Sequence, residues 1–163
     1  MSLRDRIQSD VIAAMRSGDA FRRDVLRMAQ NAVYTVEKRE QRQLSDDDVT
    51  VVLTREVKTR RESIDAFRKG NRDDLAAKEE AEIAVLTDYL PEQLDDAAIT
   101  ALVEEAVAAT GASNARDLGK VMGWLSPKTR GKADGRRVAE LVAQALARAD
   151  LAGHDAAEPH GAG

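Results

Sequence analysis

The chain has 163 residues, 43% hydrophobic, 33% charged and only 3% aromatic, with a net charge of −4. That leaves room for one large domain or two small ones with a true core, in a composition suited to helix rather than sheet. The absence of cysteine excludes a disulfide scaffold, a thiolate zinc site and a cysteine nucleophile. Residues 1–10 are charged from Arg4 onward, and no stretch approaches the roughly 18 apolar residues of a membrane span, so the expected setting is the cytoplasm, away from membranes.

In chain order, the first predicted element is a helix from Leu3 to Ser17, with Leu3, Ile7, Val11 and Met15 recurring every fourth residue. Gly18 is a natural stop and Asp19 a cap for the second helix, which runs from Ala20 to about Arg42. Its apolar stripe is Val25, Ala29, Val33 and Val36, widened by Leu26, Met28 and Ala32. Ser45 caps a third helix and places Asp46, Asp47 and Asp48 in the positive first turn. Val49, Leu53, Val57, Ile64 and Phe67 carry that helix to Lys69, and Gly70 ends it. Asn71 opens a fourth helix bearing Leu75, Ile83, Leu86 and Leu90, closed by Pro91.

The segment from Asp88 to Leu94 is the expected domain boundary, because beyond it the helices shorten and their punctuation becomes dense. Asp95 caps a fifth helix with Ile99, Leu102, Val103, Ala106 and Val107, ending at Gly111. Ser113 or Asn114 caps a sixth, with Leu118, Val121, Met122 and Leu125 inward and Pro127 as its end; Gly119 and Gly123 would permit close helix packing, and Trp124 is expected to pack. The loop 128–135 follows, then a last helix with Val138, Leu141, Val142, Ala145 and Leu146. The fold class is therefore all-α: an N-terminal domain of four long helices over residues 1–90 and a small three-helix domain over 91–149. Residues 150–163 have the composition of a disordered tail.

The chemistry available is narrow. The two histidines, His154 and His160, both fall in the tail, which leaves the folded body without a histidine base, a Ser-His-Asp triad or a conventional zinc site. No catalytic residue, metal ligand or cofactor is assigned. Glu79, Glu80 and Glu82 either pair for acid/base or Mg²⁺ chemistry or form salt bridges with Arg60, Arg61 or Lys58 on the third helix. Arg55, Lys58, Arg60, Arg61, Arg68 and Lys69 alternate with Glu56, Glu62 and Asp65, the pattern of a charge-laced helix surface. The glycines are not gathered after a strand, so no nucleotide-binding loop is present.

One segment stands apart electrostatically. Residues 111–149 carry eight Lys or Arg against three acids in an otherwise acidic chain. Within them, Lys128, Arg130, Lys132, Arg136 and Arg137 fall inside ten residues, and Gly131 and Gly135 admit close approach of a ligand to the backbone. The loop feeds a helix N-terminus, where free N–H groups and the dipole favour anions. RNA phosphate is the natural guest. Asp134, as the expected N-cap, would compete for the same amides, and a solvated turn with ordinary surface charge is the alternative.

Two blocks carry a family likeness: Lys78 to Leu86 running on to Tyr89-Leu90-Pro91-Glu92-Gln93-Leu94, and Asp117 to Leu125 followed by Pro127-Lys128 and Gly131-Lys132-Ala133-Asp134-Gly135. With the Met1-Ser2-Leu3 start and the Arg27-Met28 stretch, the chain resembles the GatB/YqeY family over roughly residues 1–149. The second block is similar to the C-terminal tail domain of GatB, a subunit of the tRNA-dependent amidotransferase that amidates misacylated Glu-tRNA or Asp-tRNA with glutamine as donor. The resemblance implies a non-catalytic tRNA-binding or accessory module, with tRNA, and the amidotransferase or aminoacyl-tRNA machinery, as partners and no small-molecule substrate. It carries over no active site. Two alternatives stand: an amidotransferase-associated enzyme component with glutamine-dependent carbon–nitrogen ligase activity, and a helical protein–protein adaptor.

Overall fold

A computed structural model describes residues 1–157, and every regular element among them is a helix. The chain divides into two compact units, Met1–Glu92 and the residues from Gln93 on.

The first unit starts with a capping box. Ser2 Oγ accepts from the Asp5 N–H at 3.1 Å while the Asp5 carboxylate accepts from the Ser2 N–H at 3.3 Å, launching α1 (Leu3–Ser17). Gly18 closes α1 at φ 77°, and Asp19 then caps α2 (Ala20–Glu40) by accepting from the Arg22 N–H at 3.0 Å. That helix ends two residues before the expected Arg42, because Gln41 enters the left-handed region at φ 52°. Ser45 and Asp48 build a second capping box for α3 (Asp46–Lys69). The Asp48 carboxyl is held down at about 2, chiefly by its hydrogen bond from Arg42 and then by Ser45. Asn71 is not the cap of α4 (Asp73–Thr87): it is a turn residue at φ 56°, and Arg72 takes the N-cap position without a side-chain cap bond.

The core of this unit gathers Ile7, Val11, Val25, Leu26, Ala29, Val33, Val49, Leu53, Val57, Val85, Leu86 and Tyr89. Two residues expected there point outward: Met15 is 52% and Met28 40% exposed. A four-residue step advances about 400° around a helix, so the stripe drifts about 40° each time, and by Met15 it has left the face that Leu3 defines. Ala14 returns to that face and is buried.

In the second unit, Asp95 accepts from the Ala98 N–H at 2.8 Å and caps α5 (Asp96–Thr110), which Gly111 ends at φ 69°. Asn114 caps a single turn of 3-10 helix, Ala115–Asp117, that leads into α6 (Leu118–Thr129). Here the sequence expectation fails twice. The helix runs through Pro127 to Thr129, the proline keeping a φ compatible with helix at the loss of one hydrogen bond and some crowding of the preceding turn. Leu118, at the start of α6, is 36% exposed rather than inward. The last helix, α7 (Gly135–Ala157), buries Val138, Val142 and Leu146 against Ile99, Val103, Ala106, Val121 and Leu125. It continues past residue 149, so residues 150–157 are helical where composition suggested disorder. Elongating an existing helix adds a bond for each residue fixed, alanine resists it least, and Asp150 and His154 sit 3.8 Å apart at i,i+4. His154 is therefore a helix residue. His160 and the rest of the expected tail lie outside the described residues.

Candidate nucleic-acid interface

The basic segment is less of a loop than its sequence suggests. Lys128 belongs to the last turn of α6, and Gly135, Arg136 and Arg137 open α7. Between them lies a tight turn. The Lys132 and Ala133 N–H groups both donate to the Thr129 carbonyl, at 2.9 and 3.0 Å, and Gly131 adopts φ 76°, a left-handed conformation that glycine takes at little cost and a residue with a Cβ does not.

The outer carbonyls of this turn are fastened by the segment that follows Pro91. Gln93 Nε2 donates to the Gly131 carbonyl at 2.9 Å, and the Leu94 N–H donates to the Lys132 carbonyl at 2.8 Å. With its backbone held, the turn displays Arg130 and Lys132 outward, and both are exposed, as are Lys128 and Arg136. Lys132 and Arg136 make no ion pair among the described residues. Lys128 places its ammonium 4.4 Å from the centre of the Trp124 ring.

Arg137 is placed differently. Its guanidinium forks onto Asp96, with Nε–Oδ1 at 3.1 Å and Nη2–Oδ2 at 2.6 Å, and its Nη1 reaches Glu140 at 3.0 Å. These carboxylates raise its pKa, Asp96 foremost, and in return Arg137 holds the Asp96 carboxyl below the usual carboxylate range. The charge of Arg137 thus ties the start of α5 to the start of α7. The Asp134 carboxylate accepts from the Arg137 N–H at 3.1 Å, and its carbonyl accepts from the Val138 N–H, so Asp134 occupies the N-terminus of α7 as the cap its sequence position suggested. A Cβ added at Gly135 would meet nothing within 4 Å, and Gly135 has no positive φ, so nothing inside the chain requires glycine there. The same is true of Gly119 and Gly123, which are not packed against a neighbouring helix.

The carboxylate cluster of α4 resolves into ion pairs. Arg60 is 7% exposed; its Nε donates to Glu82 at 3.0 Å and its Nη1 to Glu56 at 3.0 Å. Glu80 pairs with Arg68. Glu79 is half-buried, and its carboxyl is pushed up by burial first and by its neighbour Glu82 second. Among the described residues no group of three or more His, Asp or Glu side chains is placed to hold a metal ion, and no helix is long and apolar enough to cross a membrane.

Sequence reasoning missed the partners of the site. Gln93 and Leu94 were read only as part of a motif and a boundary, and Asp96 was not singled out. Their roles depend on pairings across about forty residues that no local period reports.

These features define a class: an all-helical chain of two units whose second unit presents a fastened cationic turn between two helices. A family model described as Yqey-like protein matches residues 4–146, and the chain belongs to that family. It is 28% identical over 130 residues to the mitochondrial protein named Altered inheritance of mitochondria protein 41 of Pyrenophora tritici-repentis, covering 78% of this chain and 71% of that protein. It is also 48% identical over 48 residues to an uncharacterized protein of Schizosaccharomyces pombe, covering 29% of this chain and 39% of that one.

Proposed function

We propose that this Yqey-like protein is a non-catalytic tRNA-binding accessory module of the cytoplasm, its second unit a three-helix domain of the GatB-tail type. In this reading it works beside the glutamine-dependent carbon–nitrogen ligase system or other aminoacyl-tRNA machinery. The observation that carries the reading is the set Lys128, Arg130, Lys132 and Arg136, exposed around a turn whose backbone Gln93 and Leu94 hold. Cations on a fixed backbone meet phosphates without ordering a loop at the moment of binding. Arg137 serves the same surface indirectly, by fixing α7 to Asp96.

Four phosphate contacts imply a slope of log K against log salt near −3 to −4. The test is a tRNA titration across salt concentrations with the parent and with Lys132→Ala/Arg136→Ala. The double variant should weaken binding alike for all tRNA sequences and flatten the slope by about two. A parent that binds no tRNA at low salt, or a double variant that binds as the parent does, overturns the reading.

An adaptor role has one observation in its favour: Ile12, Met15, Phe21 and Met28 are each 40% or more exposed on α1 and α2. A partner held there would bind with little salt dependence. As an enzyme component the chain would depend on another subunit for its active site, and the isolated protein is expected neither to hydrolyse glutamine nor to amidate Glu-tRNA with ATP.

A further inference from the structure

We infer that Trp124 and Lys128 form a stacking site for one unpaired nucleotide, so that the RNA surface of the second unit takes a single-stranded element rather than a continuous duplex. The inference rests on the RNA-binding reading of the basic turn and deepens it.

Trp124 is the chain's one tryptophan. Its indole is half-buried against the core of its unit, so the ring is held in place rather than swinging freely. What covers it on the outside is the Lys128 ammonium, 4.4 Å from the ring centre, from the same helix one turn on. An exposed cation–π contact is weak, and a lysine with four rotatable bonds leaves it at low cost when a phosphate is offered. Lys120, Trp124 and Lys128 follow one another at four-residue intervals on α6, which puts Lys120 one turn before the indole on the same side of the helix. Lys120 is 59% exposed on its side chain and pairs with Asp117 only at 4.0 Å, a contact that solvent screens strongly. Asp117 accepts from the Ser113 N–H with its other oxygen, at 2.8 Å.

The chemistry of the partner follows. An aromatic face with one ammonium over it, and a second exposed lysine one helical turn away, suits a base whose neighbouring phosphates can reach those cations. A base inside a duplex has both faces already stacked and offers none to the indole, whereas a base in a loop, bulge or free end does. Stacking of this kind tolerates any base, so affinity should depend on strandedness more than on sequence.

The experiment uses the full chain, a short oligoadenylate, and an RNA hairpin with the same number of phosphates and a minimal loop. Trp124 is the only indole emitter, so its fluorescence reports the site directly. The oligoadenylate should quench it and bind more tightly than the hairpin. Trp124→Leu, which keeps apolar packing, should weaken oligoadenylate binding roughly 5- to 150-fold with the salt slope unchanged, and Trp124→Phe should retain most of the affinity. Circular dichroism checks that Trp124→Leu stays helical; if it does not, the quenching of the parent and the affinity of Trp124→Phe decide. Equal binding of the two RNAs with no change in emission, while Lys132→Ala/Arg136→Ala still weakens both, overturns the stacking site and leaves the RNA reading standing. Failure of the parent to bind either RNA at low salt removes both.

Discussion

Arg60 shows how far a charge-laced sequence can mislead at the scale of one residue. It sits in a run of alternating bases and acids that reads as solvated surface, yet it is buried with Glu82 at the α3–α4 contact and holds Glu56 as well. Arg60→Ala would strand the Glu82 carboxylate in the interior and is expected to cost about 3–5 kcal/mol. Arg60→Met with Glu82→Leu removes both charges together and should recover most of that loss, as read by urea denaturation of the three variants. Tyr89 is the second buried polar anchor of the unit, 5% exposed, with its hydroxyl donating to Asp10 and the Arg6 guanidinium 4.7 Å over its ring. Burial, and then the Asp10 carboxylate, push its phenol up to about 12. The folded value lies above the ordinary one near 10, so the fold favours the protonated phenol. That contribution is whole below about pH 10 and is lost as pH rises towards about 12. Alkaline stability should therefore fall in that window, and Tyr89→Phe should remove this component of the fall; an unchanged alkaline profile in Tyr89→Phe would show that Tyr89 is not the group responsible.

At the scale of the element, punctuation was legible and reach was not. Ser45 followed by three aspartates announced the start of α3, and Gly18, Asp19, Asp95, Gly111 and Asp134 all sit at the helix ends their residue types suggested. These signals act within one turn, where sequence neighbours are spatial neighbours. The misplacements have longer causes. Pro127 was read as a stop, but it lies inside the last turn of α6, which runs on to Thr129. Residues 150–157 were read by composition alone, although a long helix already formed lends them its nucleus. The cationic residues of the candidate site were visible because charge is a property of sequence; the fastening of their turn by Gln93 and Leu94, and the diversion of Arg137 to Asp96, were not. Two substitutions measure the local signals. Ser45→Ala should cost about 1 kcal/mol through loss of the cap. Gly131→Ala should cost about 1–2 kcal/mol, because it places a Cβ at φ 76°. Thermal unfolding checks both, and a neutral Gly131→Ala would mean that the turn can relax away from the left-handed conformation.

On the scale of the whole molecule, the deciding fact is that each unit owns a core. Leu53 is fully buried among residues of Met1–Glu92, and Leu125 is fully buried among residues from Gln93 on. A segment with its own core and its own caps meets the physical requirement for a separate cooperative transition. Trp124 lies in the second unit, whereas helical circular dichroism sums over both. Two truncations then separate the transitions. Leu53→Ala, expected to cost about 2–5 kcal/mol, should move part of the dichroism transition to lower denaturant and leave the midpoint of Trp124 emission in place. Leu125→Ala should lower the emission midpoint by a loss of the same size and leave the larger part of the dichroism signal where it was. If either variant shifts both probes to a single common midpoint, the two cores unfold as one, and a two-state treatment of the entire chain is the correct one.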